Sequence, residues 1–194
     1  GARGVPIYDP LSLRAGDSHI FIAGDATVDL PLLHEAADEG RLAGENAARF
    51  PESYRRARRT NIGVVFSDPP IGLAGESHKA LSDKGIAFET GAVSFEDQGR
   101  ARVMGINKGL LHVYGEKDTG RLLGAEMIGP QAEHLAHLLA WSIASNITVT
   151  EALERPFYHP VIEEGLRTAL RELNSKLGFG PNPPLRCIDC GPGA

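Results

Sequence analysis

GLLHVYGEKDTGRLLGAEMIG, residues 109–129, is the stretch that decides the fold. Two apolar runs flank EKDTGR, where Asp118, Thr119 and Gly120 supply the chemistry of a reversing chain. The stretch reads as a β-hairpin, and a hairpin means antiparallel pairing. Upstream, IGVVFS (62–67), IAFETGAVSF (86–95) and ARVMGI (101–106) read as further strands. DPPIGLAG (68–75) reads as a turn, and ESHKALSDKG (76–85) as a short helix closed by Gly85. Downstream, QAEHLAHLLAWSIASN (131–146) has apolar residues at helical spacing. Trp141 and its neighbours form a stripe that core or interface packing explains. A last helix runs from about residue 160 to 177. Strands with attached helices give an α+β domain: an antiparallel sheet with helices on one side.

The first fifty residues follow another pattern. HIFIAGDA (19–26) is a short apolar run ending in Gly24-Asp25, as a buried strand does. Pro31 then opens PLLHEAADEGRLAGENAARF, a run of good helix formers. Gly40 and Gly44 interrupt it and point to close backbone packing. Composition changes abruptly at 51–61. The chain is therefore divided into 1–54, 55–177 and a Gly/Pro-rich tail, 178–194, expected to be flexible. A strand–turn–helix of this size cannot bury its own apolar faces, so residues 1–54 read as the end of a larger domain.

The totals narrow the function. The chain has 194 residues, 42% hydrophobic and 23% charged, with a net charge of −5. No basic stripe accompanies that charge, and RRARR (55–59) reads as a solvated linker, so nucleic acid is not an expected partner. No run approaches the ~18 apolar residues of a membrane span, and no signal peptide opens the sequence. The two cysteines, Cys187 and Cys190, lie in the tail and read as exposed thiols. A fold without disulfide staples suits a reducing cytoplasm.

Two constellations could carry chemistry. Asp25 follows a predicted strand, at the end where open α/β sheets bind ligands. Its carboxylate either caps a turn or accepts hydroxyls of a polyol or ribose. The next helix starts near Leu32–His34, where unpaired N–H groups and the positive dipole end favour negative charge. The second constellation is His159-Pro160-Val161-Ile162-Glu163-Glu164. Pro160 suits the first helical position, which makes His159 the cap or the residue just outside. Glu164 lies one turn further in, within reach of the imidazole, where it would fix the tautomer and leave the other nitrogen to move a proton. Glu163 could serve a capping box. Taken alone, the element reads as a capped helix or as an acid/base pair. His134 and His137 are three apart on a helix, but no further ligand completes a metal set. His78 and His112 have no evident companions.

IFIAGDATVDLPLLHEAADEG, VVFSDPPIGLAG, TGRLLGAEMIGPQAEHLAHLLAWSI and FYHPVIEEGLRTAL occur in that order. Together they resemble the C-terminal part of the class I pyridine nucleotide–disulfide oxidoreductases, most closely dihydrolipoamide dehydrogenases. The resemblance spans about residues 4–175. It implies that 1–54 is a remnant of an FAD-binding domain and 55–177 the interface domain of a homodimer. It implies cofactor contacts at Gly24 and Asp25, on the flavin's ribityl chain, and at Leu32, Leu33 and His34, on the isoalloxazine edge. It implies that His159 is the base for a substrate dithiol, oriented by Glu164 and acting in the partner subunit's site. The parent reaction would oxidise a dihydrolipoyl group with NAD+ through FAD and a cysteine pair, with a host multienzyme complex among the partners. A related disulfide or mercuric reductase is the alternative; a tyrosine replaces this histidine in mercuric reductases, and His159 is retained here. The phosphate loop, redox cysteines and NAD-binding domain of the family are not in this sequence. The isolated chain is therefore expected to be an inactive dimerisation module.

Overall fold

The structure, a computed structural model, describes residues 4–179. The expectations for Cys187, Cys190 and the tail beyond 179 lie outside the described residues. Two compact units divide between Arg59 and Thr60, rather than after residue 54.

In the first unit the helix α1 spans Leu33–Arg49. The strand expected at 19–26 does not form. Phe21 makes a single bridge to Arg14, and Gly24–Thr27 is a turn of 3-10 helix. Around that bridge the Ile22 N–H donates to the Leu13 carbonyl and the Ala15 N–H to the Ile20 carbonyl, both at 2.9 Å, and pairing over so few residues does not extend into a ladder that would satisfy a whole strand. Gly40 and Gly44 are also not packing sites: a Cβ at either would meet nothing within 4 Å. The buried side of α1 is polar instead, with Glu35, Glu39 and Asn46 beside Leu42. Asn46 shows what this polarity does. Its amide donates to the carbonyls of Ser12 and Tyr54, both at 2.9 Å, and its oxygen accepts the Tyr54 N–H at 2.7 Å.

The second unit is a five-stranded antiparallel sheet, β1 (Ile62–Val65), β2 (Ile71–Gly75), β3 (Phe88–Ser94), β4 (Leu110–Glu116) and β5 (Leu122–Ile128), in the order β1-β2-β5-β4-β3. The expected hairpin is β4–β5, and Gly120 takes φ +70° in its turn. Two expectations fail. DPPIGLAG contains β2, because the turn ends at Pro70 and Ile71–Gly75 pairs with both β1 and β5. ARVMGI is a helix, α3 (Gly99–Met104): the Gln98 side chain accepts the Ala101 N–H at 2.6 Å and Gly105 closes it at φ +69°. The caps outweigh the strand preference of an isolated Val-Met pair. The short helix α2 (His78–Asp83) has a Ser77 cap and ends before Gly85, as expected.

Helices α4 (Ala132–Ala144), α5 (Val149–Leu153) and α6 (Glu163–Leu177) complete the unit, and α4 and α6 cover one face of the sheet. Leu111, Val113, Ala125 and Met127 point into this layer beside Leu135, Leu139, Leu170 and Leu173. The helices reach the sheet through glycines. A Cβ at Gly72 would stand 2.7 Å from the Ala132 carbonyl oxygen, so no larger residue lets α4 sit this low on β2.

β3 is an edge strand, and α6 closes its free side. Glu172 accepts the Ala92 N–H at 2.6 Å, and Lys176 donates to the Thr90 carbonyl at 2.8 Å. Covered edge groups cannot pair with another chain. Burial raises the Glu172 carboxyl, but the Lys176 and Ala92 hydrogen bonds outweigh it and the net shift is below the ordinary 4.5. A depressed folded-state value gives stability that is full above the unfolded value and lost as pH falls through the folded one. Between about pH 6 and about pH 3 the wild type should therefore lose more melting temperature than Glu172→Gln. Parallel melting curves would refute the edge contact.

Candidate functional site

His159 and Glu164 meet. The His159 Nδ1 lies 2.7 Å from Glu164 Oε1, and Glu164 Oε2 accepts the Val161 N–H at 3.0 Å. With the Nδ1–H donated to the carboxylate, Nε2 carries the lone pair. The His159 side chain is 78% exposed and that of Glu164 only 6%, so a buried anion holds a ring whose other edge faces outward.

The local fold differs from the sequence expectation in one respect. Helix α6 starts at Glu163 with Ile162 as its cap, not at Pro160. His159–Val161 form an irregular turn ahead of it, and Glu164 takes the N–H that a capping side chain would take. Both jobs, holding the turn and holding the ring, therefore fall to Glu164, and Glu163 is not the cap.

Gln98 was not visible as a site residue in the sequence. It is 1% exposed. Its amide donates to the Val161 carbonyl at 2.8 Å while its oxygen caps α3, which ties the His159 turn to a second element. Gly165 permits this approach, since a Cβ there would meet the Phe95 ring at 2.9 Å. The sequence carried no signal for it, because glutamine is not a preferred N-cap residue.

The other histidines have companions that spacing did not reveal. His78 stacks edge-on against Phe88 and Tyr114, at 5.1 and 5.7 Å between ring centres. Tyr114 donates to Glu126 at 2.6 Å; burial first, and then this anion, push its phenol well above the usual range. The His137 Nδ1–H donates to the Glu133 carbonyl at 2.6 Å, and its ring stands edge-on to Trp141. His134 lies 3.7 Å from Glu133. Trp141 itself is 68% exposed, so it belongs to a surface and not to the core.

The Gly24-Asp25 constellation lies in the first unit. Gly24 has φ +69°, and a Cβ would come within 3.2 Å of the Ala36 Cβ, so glycine lets the Gly24-Asp25 turn pack on the first turns of α1. Asp25 is exposed, and no side chain caps α1 at Leu32. Leu33 and His34 are exposed beside that helix start. An exposed carboxylate beside an uncapped helix N-terminus fits a ligand with hydroxyls and a developing negative charge, as the flavin of FAD has.

The arginine cluster is exposed, as expected of a solvated segment, but its side chains are paired. Arg55 pairs with Asp9 at 3.1 Å, Arg56 with Glu45 at 3.5 Å and Arg59 with Asp38 at 3.0 Å. Arg58 reaches Asp29 at 2.8 Å, Glu35 at 3.3 Å and Glu39. Partial burial opposes its charge, but Glu39 and Asp29 outweigh this and raise the guanidinium above its usual value.

Residues 62–170, more than half of the chain, match the family described as Pyridine nucleotide-disulphide oxidoreductase, dimerisation domain. The chain belongs to this family. The dihydrolipoyl dehydrogenase of Haloferax volcanii is 30% identical over 157 residues, which is 80% of this chain and 33% of that protein. The mercuric reductase of Shigella flexneri is 27% identical over 172 residues, 89% of this chain and 30% of its own. The chain thus spans about a third of the length of these curated relatives. Among solved structures, the HOCl-induced flavoprotein disulfide reductase RclA from Escherichia coli superposes with a TM-score of 0.71 at 21% identity. That match covers 90% of this chain and 39% of the other. It shows the same fold: the open five-stranded antiparallel sheet with its helices is that of the dimerisation domain.

Proposed function

We propose that this chain is the C-terminal part of a flavoenzyme that oxidises a dihydrolipoyl dithiol with NAD+, and that His159 is its base. The observation that carries the reading is the outward Nε2 of a ring held by the buried Glu164 carboxylate. A substrate thiol gives its proton to Nε2, and the carboxylate offsets the positive charge that forms. The thiolate is the species that exchanges with a disulfide. FAD, when bound, supplies the electron route between the dithiol and NAD+. For that cofactor Asp25 would accept ribityl hydroxyls. The backbone at Leu32, Leu33 and His34, with Gly24 behind it, would face the ring edge that gains charge. The site is completed by a second copy: Val65, Phe66, Leu138 and Trp141 are exposed apolar residues that suit a homodimer contact.

The match to mercuric reductase over 89% of the chain favours a related reductase as the second reading. Steady-state assays of the full-length protein separate the two. Turnover of dihydrolipoamide with NAD+, far above that of oxidised glutathione or Hg(II) with a reduced nicotinamide, is expected. The reverse order of rates would replace the proposed substrate.

A further inference from the structure

We propose that Arg58 is a positioning residue for the Gly24-Asp25 turn, acting through Glu39, and so for the flavin. The inference rests on the FAD site proposed above. Glu39 uses its two oxygens in different directions: Oε1 faces the Arg58 guanidinium, and Oε2 accepts the Gly24 N–H at 2.7 Å. The same guanidinium binds Asp29 at the far end of the turn and Glu35 in the first turn of α1. The Gly24 carbonyl is held in turn by the Thr27 hydroxyl at 2.8 Å. One cation therefore ties both ends of the 24–29 turn to the helix start behind it.

The burial pattern gives this network its force. Glu35 and Glu39 are 4% and 8% exposed, while Asp25 is exposed and outside the network. Two buried carboxylates on one helix face repel each other unless a cation stands between them. Without Arg58, nothing holds Glu39 Oε1 in this orientation, and the Gly24 N–H loses a fixed acceptor. The network thus aims Asp25 outward and leaves its carboxylate free for a ligand.

Neighbouring arginines supply the control. Arg59→Gln removes the same charge from the same segment, but its ion-pair partner is Asp38 rather than a residue of the turn or Glu39. The experiment uses the full-length protein as Arg58→Gln, Arg58→Lys, Glu39→Gln and Arg59→Gln. FAD affinity is read from flavin fluorescence, the flavin midpoint potential by redox titration, and folding by circular dichroism. Arg58→Gln should weaken FAD by about tenfold, the size of one lost charge-assisted hydrogen bond. It should also make the potential more negative, because the N–H groups at the start of α1 no longer meet the reduced ring squarely. Arg58→Lys should lie between, and Arg59→Gln should match the wild type.

If Arg58→Gln does not fold, Arg58→Lys and Glu39→Gln decide on the same two readings. Wild-type affinity and potential in the Arg58 and Glu39 variants would overturn the proposal, as would an equal loss in Arg59→Gln. A full-length wild type that binds no flavin would overturn this proposal together with the FAD site. Flavin bound normally but indifferent to Arg58 would overturn this one alone.

Discussion

Replacing His159 by glutamine in the full-length protein is expected to slow dithiol oxidation by about 10²–10⁴-fold, the usual loss when a general base is removed. The amide can keep a hydrogen bond to Glu164, so the turn at 159–161 keeps its shape, but it has no nitrogen lone pair that takes a proton. Folding should not suffer. The side chain is 78% exposed, and surface substitutions of this kind stay within about 0.5 kcal/mol. Rapid mixing separates the step concerned: flavin reduction by dihydrolipoamide should slow, while flavin reduction by NADH should not. Equal slowing of both, or of neither, would remove His159 from the dithiol step. Glu164→Gln should cost less, because one oxygen remains to receive either the ring or the Val161 N–H.

Gly91→Ala is expected to be among the most damaging single-methyl additions in the second unit. Its Cβ would stand 2.1 Å from the Ala169 carbonyl oxygen, 2.6 Å from the Leu173 Cβ and 2.8 Å from the Leu173 N. Two of these are backbone atoms of α6 and cannot swing away, so the helix must lift from β3. Ala169 and Leu173 are fully buried there. Overpacking of this kind costs about 3 kcal/mol or more. That corresponds to a drop of roughly 10 °C in melting temperature. Because α6 also carries Glu164, the same substitution should lower dithiol oxidation. By contrast, Gly85→Ala meets no atom and pays only for φ +66°, about 1 kcal/mol. A Gly91→Ala protein as stable as Gly85→Ala would contradict the close seating of α6 on the sheet.

Much of the fold was legible because its signals are local. The hairpin at 109–129 announces itself through its turn residues, and α1, α4 and α6 through helix formers or an apolar period. His159 and Glu164 are five residues apart, so one turn of chain joins them whatever surrounds it. Their family context was also readable, since residues 62–170 carry it in order. The failures share a cause. Ile71–Gly75 looked like a turn because two glycines weaken any strand signal. They are there because Gly72 lies under the Ala132 carbonyl and Gly75 under that of Leu123, neighbours remote in sequence. The run at 19–26 looked like a strand because it is apolar, but a strand needs a partner along its whole length.

The sequence by itself therefore determined the antiparallel sheet, its principal helices, and the pairing of a histidine with a carboxylate at the head of α6. Only the tertiary structure decided that Glu164 both orients the ring and holds the turn, and that Gln98 anchors that turn from across the unit. It alone showed that Arg58 closes onto the buried acids Glu35 and Glu39. Spacing along a chain sets what one helical turn or one hairpin can bring together. A buried amide 63 residues from its acceptor, or a guanidinium shared by three carboxylates, exists only once packing has chosen its neighbours.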